Sequence, residues 1–164
     1  MNWDALGALG ELVGAAAVVA TLIYLSVQLR QNTRAVKLSS AQAVTEELQA
    51  MFSLLSSDQS LAEIFVEAGK SDELSGADLV RYYTFNSNLL RVYENAFLQK
   101  QENAINNAHW IGMTRMMIDY SKMAAFSSYW RDRKHWLSDE FQDHMEAEII
   151  SAAQKPGINL PGNY

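Results

Sequence analysis

From Leu12 to Leu29 the chain runs eighteen residues without a charge, LVGAAAVVATLIYLSVQL, and this run limits its possible folds more than any other feature. A bilayer core about 30 Å thick is crossed by roughly 20 helical residues rising 1.5 Å each, so the run is long enough to span. Val18, Val19, Leu22, Ile23 and Leu25 point in all directions around a helix, where a soluble amphipathic helix would carry a polar face. Residues 1–29 contain Asp4 and Glu11 but no Lys or Arg; Arg30, Arg34 and Lys37 then follow within eight positions. Cytoplasmic flanks are the basic ones, which predicts an N-terminus outside and a cytoplasmic remainder. No basic residue precedes the run, against the pattern of a cleavable signal peptide. Trp3 and Tyr24 suit the interfacial belts. The rival reading is a helix buried in a soluble bundle or oligomer, since four alanines, Thr21 and Ser26 make the segment only moderately hydrophobic.

Gly7, Gly10, Gly14 and Ala17 are spaced three and four apart and share one helix face. Small residues let two helix backbones approach closely in lipid, where association depends on packing. This face is the expected helix–helix interface, toward a second copy or a membrane-protein partner.

Charge divides by position: residues 1–29 carry −2, residues 30–37 carry +3, and the rest carry −7 from 10 basic and 17 acidic residues. The acidic total argues against nucleic acid as a partner. The absence of cysteine excludes disulfides, thiolate nucleophiles and Cys-ligated metals. With two prolines, eight glycines and no sustained period-two alternation among 164 residues, the expected class is all-α. The membrane helix (1–29) should continue as a juxtamembrane stalk (30–57), followed by a helical cytoplasmic domain (58–155) and a mobile tail (156–164).

Local signals divide that domain further. Val44, Leu48, Met51, Phe52 and Leu55 keep helical period up to Ser56–Ser57. A short helix from about Gln59 to Glu67 should close at Gly69. Ser75 with Asp78 resembles a capping box, opening a helix to about Asn103. Asn106 or Asn107 can cap the next helix, which carries Trp110, Met113, Met117 and Tyr120. Ser138 reads as the N-cap of a last helix, stopped by Lys155-Pro156-Gly157.

Three groups of residues are candidates for chemistry. Glu140, His144 and Glu148 share a helix face, but di-iron bundles need Glu-x-x-His pairs on two helices, so a solvated acidic face is the better reading and no metal or other cofactor is assigned. Glu94, if buried, needs a partner such as Arg91, Arg115 or Arg131. The segment Trp130, Arg131, Arg133, Lys134 and Trp136 mixes aromatic and basic side chains, as partner hot spots and anionic lipid surfaces do, while core packing competes for the two Trp. No phosphate loop, nucleophile elbow or HExxH motif is present, and His109, His135 and His144 are scattered.

The opening WDALGALGELVGAAAVVATLIYLSVQLRQNTRA resembles the start of a broad group of short, uncharacterised bacterial membrane proteins, with a leader of the type W-x-A-[IL]-[GS]-A-[IL]-G-E-[IL]-x-G running into Y-L-[AS]-x-Q-[IL]-R-x-N-T. The likeness continues at YENAFLQKQENAI, at Trp110, and at YWRDRKHWLSDEFQDHMEAEI. Where the group often has a glycine this chain has Asn103, and AAFSSY stands where a Pro-Gly turn often precedes the Trp equivalent to Trp130. The resemblance implies a bacterial inner-membrane protein with a helical cytoplasmic part and transfers no catalytic residue. The leading expectation is therefore a single-pass protein with the lipid bilayer as one partner, acting by interaction as an accessory or assembly subunit or a self-associating scaffold. The alternatives are a sensory module holding a small molecule near Tyr82, Tyr93, Trp110 and Tyr120, and a metal-dependent helical enzyme using Glu94, His109 or His144.

Overall fold

The computed structural model describes residues 2–155, the side chains of Ala5 and Leu6 excepted. Among these residues the chain is all-α, with six helices and no strand. They are α1 (Trp3–Ser57), α2 (Gln59–Lys70), α3 (Gly76–Gln101), α4 (Asn107–Tyr120) and α5 (Phe126–Arg133), followed by a 3-10 turn (Lys134–Trp136). α6 opens with Asp139–His144 and continues through a π-helical stretch, Met145–Ile150, and a last α turn, Ser151–Ala153. The expected tail, 156–164, lies outside the described residues.

The chain divides between Ser39 and Ser40 into two compact units, and α1 contributes to both. The first unit is part of one helix that is, by length and composition, able to cross a membrane. Its large side chains are exposed: Leu12 at 70% and Ile23 at 61%.

The second unit is a bundle built on α3, which buries nine residues, among them Tyr82, Phe85, Leu89, Leu90 and Tyr93. Val44 and Leu48 from the end of α1 join this core, as their spacing predicts. Leu61, Ile64, Phe65 and Ala68 of α2 follow the i, i+3, i+4, i+7 pattern of one apolar stripe and are buried. α1 ends at Ser57 because Asp58 turns extended and its carboxylate accepts the Leu61 N–H at 3.0 Å, capping α2.

Several helix ends differ from the sequence reading. α2 runs through Gly69 to Lys70, and the Ser71 N–H closes it on the Glu67 carbonyl at 2.9 Å. Ser75 occupies the cap position of α3 without a side-chain bond to the helix. Asn106 does cap α4, its side chain accepting the Ala108 N–H at 2.8 Å. The AAFSSY stretch becomes helical at Phe126, after the Ala125 N–H bonds the Ala68 carbonyl of α2 at 3.0 Å.

α3 stops at Gln101, and Asn103 then takes the left-handed conformation, φ 53°. Asparagine tolerates that region better than other residues with a Cβ, and glycine better still. Asn103→Val should therefore destabilise the bundle by about 1–2 kcal/mol, whereas Asn103→Gly should match or exceed the parent. Urea melts of the two variants check this; equal loss in both would contradict the backbone explanation.

Candidate functional site

Two buried polar networks and one surface corner of the second unit bear on function. The first network centres on Glu94, only 6% exposed on the inner face of α3. One carboxylate oxygen accepts both the backbone N–H and the hydroxyl of Ser138, at 2.7 and 2.8 Å. The other accepts from Arg91 at 2.7 Å, and Arg91 also donates to the Trp136 carbonyl. Burial pushes the Glu94 carboxyl up, but the bonds from Ser138 and Arg91 outweigh it and hold the pKa below the ordinary carboxylate value. Arg91 is thus the partner, not Arg115 or Arg131. The Ser138 hydroxyl points to Glu94 and does not cap α6, although the helix begins where expected. In effect, α3 grips the segment Trp136–Ser138 and fixes the start of α6.

The second network surrounds His144, which is buried against Phe97 (ring centroids 4.8 Å apart), Trp110, Tyr93 and Phe141. Its Nε2 lies 3.1 Å from the Tyr93 hydroxyl, which is 3.3 Å from the Thr114 hydroxyl. Burial lowers the imidazole pKa, and Glu148, with an oxygen 3.5 Å from Nδ1, opposes that shift without reversing it. Glu140 faces elsewhere and accepts from Gln101 at 3.2 Å. His109 meets the Thr45 hydroxyl at 3.3 Å. Among the described residues no three His, Asp or Glu side chains come together in a way that could hold a metal ion.

The aromatic residues considered as a ligand pocket pack on one another. Tyr82 and Tyr93 are completely buried, Tyr93 stacks on Trp110 at 5.4 Å, and Tyr82 packs on Phe65 at 5.3 Å. The Tyr82 and Tyr120 hydroxyls and the Asn86 carbonyl oxygen are buried together in this core, where the Asn86 side chain lies beside both hydroxyls and partly offsets the rise that burial gives their pKa values.

The segment 130–136 divides between core and surface. Trp130 is 7% exposed, stacks on Phe126 at 6.4 Å and directs its ring N–H toward Glu146 at 3.3 Å, so it belongs to the core. Lys134 pairs with Glu146 at 2.7 Å, and the mostly exposed Arg131 with Asp132 at 3.2 Å. Trp136 is 50% exposed. The Arg133 guanidinium lies 4.7 Å from the Trp136 ring centre and 5.4 Å from that of Tyr83. Beside it, Tyr83 donates to Asp132 at 2.9 Å and meets Tyr129 edge-on at 5.2 Å. This arginine held between two aromatic rings was not legible from sequence, because Tyr83 lies on α3, far along the chain.

In the first unit, Gly7, Gly10, Gly14 and Ala17 are all exposed, and a Cβ added at any of the three glycines would meet nothing within 4 Å. Arg30 and Arg34 are exposed and Lys37 is half-buried. Compared with protein-family models, with curated proteins and with solved structures, the chain shows no match.

Both networks make the fold acid-sensitive, in separate windows. His144 is harder to protonate folded than unfolded, so its stabilisation is full above the ordinary imidazole value of about 6.5 and is lost as pH falls through the lower folded value. Glu94 behaves likewise below the ordinary carboxylate value of about 4.3. Melts from pH 7.5 to 2.5 should show stability falling from about pH 6.5 and again below about pH 4.3, and His144→Gln should flatten the upper window while leaving the lower one. Glu94→Ala, which strands Arg91 and the Ser138 donors, should cost about 2–4 kcal/mol at pH 7 by urea denaturation. A loss under about 0.5 kcal/mol would remove Glu94 as the tie between α3 and α6.

Proposed function

We propose that this chain is a single-pass membrane protein of the bacterial inner membrane, with the N-terminal end of α1 outside, the helical unit in the cytoplasm, and its action exerted by interaction as an accessory subunit or scaffold. The observation that carries this reading is the exposure of eleven large apolar side chains between Leu9 and Leu29. Each is about half or more uncovered, and shielding them is worth on the order of 10 kcal/mol, comparable with the whole stability of a typical domain. A bilayer supplies that shielding around the full circumference of a helix, which suits a segment without a polar face.

Orientation rests on Arg30, Arg34 and Lys37 at one end of the run, with Asp4 and Glu11 as the charged residues before it. The likeness of the leader to short bacterial membrane proteins supports the same placement. Gly7, Gly10, Gly14 and Ala17 give the helix a flat face open to close approach, and this is the surface we assign to a second copy or another membrane helix.

The full chain should pellet with membranes, resist alkaline carbonate and high salt, and be released by mild detergent. Ile23→Arg, mid-span, opposes insertion by about 2.5–3.5 kcal/mol and should move a large part of the protein out of the carbonate-resistant fraction. Parent protein recovered from the soluble fraction without detergent would sink the proposal. Mass measurement in detergent tests the interaction face: a strict monomer with no co-purifying protein would remove it.

A further inference from the structure

We propose that the groove between the outer face of α3 and the α5 corner binds a small amphiphilic oxyanion, a carboxylate or phosphate monoester on a short apolar body, with Arg133 as its anchor. The groove encloses about 360 Å³, within the range of small-molecule sites, and its walls include Leu79, Val80, Tyr83 and Trp136. Arg133 lies against two of those rings, which orders the guanidinium by its faces and leaves its N–H edge for a ligand. Among the described residues its guanidinium makes one hydrogen bond, to the Asp132 carbonyl, and that bond is long at 3.4 Å.

Charge selects the head group. Arg91, Arg131 and Lys134 each hold a carboxylate within 3.2 Å, whereas among the described residues Arg133 has none within ion-pair distance. Asp132 shares the rim, and its carboxylate interacts with Arg133 through charge alone while accepting hydrogen bonds from the Tyr83 hydroxyl and the Arg131 Nε. An oxyanion can take two parallel N–H bonds from the guanidinium edge that the long Asp132 bond leaves open, and an apolar body attached to it covers Val80 (63% exposed) and Trp136. A neutral ligand would leave the arginine edge unpaired, and a purely ionic one would leave the walls wet. The geometry of the corner is held from below, because the Glu94–Arg91 pair grips the chain at Trp136 and Ser138.

The test is calorimetric titration of the detergent-solubilised full chain with hexanoate, hexyl phosphate and hexanol, all at concentrations where they remain monomeric. Saturable binding is expected for both anions and not for the alcohol. Arg133→Gln should weaken anion binding at least tenfold and Arg133→Lys by less, since lysine keeps the charge and loses the planar fork. Lys100→Gln, an equal charge change outside the groove, should bind as the parent does, and unchanged melting temperatures confirm that the variants are folded. Native mass spectrometry from nanodiscs separates the sources: Arg133-dependent phospholipid adducts assign a lipid head group, and none, with hexyl phosphate still bound, assigns a soluble ligand. Hexanol binding as tightly as hexanoate, a folded Arg133→Gln that binds normally, or no saturable binding at all would each overturn the site.

Discussion

Among the described residues, the large apolar side chains of the N-terminal part of α1 stand exposed, and that constraint governs everything else. A helix with one bare stripe could be satisfied by a groove, but here the uncovered residues surround the axis. The shielding they need is as large as the stability of a whole domain, so no arrangement of surface polar groups compensates for leaving them wet. The remainder needs no such help. From Ser40 onward the chain forms its own core, with completely buried side chains contributed by α1, α2, α3, α4, α5 and α6.

Within that core, α3 does two jobs with one face. Its apolar residues collect the other helices, and Glu94, set among them, ties down the segment that opens α6. Buried carboxylates are stable only when several donors satisfy them, and Glu94 has three bonds from two residues. The same tie fixes the 3-10 turn that carries Trp136, so a buried structural network determines the shape of a surface corner. His144 is the complementary case, an imidazole placed among four aromatic rings, where burial disfavours its protonated form.

How much was legible in the sequence depended on how local each signal was. The end of α1 at Ser57, the Asn106 cap and the stop before Pro156 rest on neighbours within a few residues, and those readings match the structure. The partner of Glu94 was among the three arginines considered, because i, i+3 geometry places Arg91 within reach. What escaped depends on packing between helices. Ser138 looks like a cap until α3 brings a carboxylate to it. Glu140, His144 and Glu148 look like one solvated face until four aromatic rings enclose the histidine. The π-helical stretch from Met145 to Ile150 has no sequence signature, since MEAEII is an ordinary helical sequence. In the segment from Trp130 to Trp136, composition left surface and core open for the two Trp; the fold buries Trp130, pairs Lys134 with Glu146, and leaves Arg133 and Trp136 together beside Tyr83.

The central claim is that the uncharged run lies in a bilayer with the helical unit on its basic side. The chain has no cysteine, so single cysteines introduced at Asn2 and Ser127 can be labelled without background. A membrane-impermeant maleimide applied to bacterial spheroplasts, with and without lysis, reads the topology directly. The account predicts Asn2→Cys labelled in intact spheroplasts and Ser127→Cys labelled only after lysis, both in carbonate-resistant membranes. Both positions labelled on the same side, or both found in the soluble fraction, would contradict it.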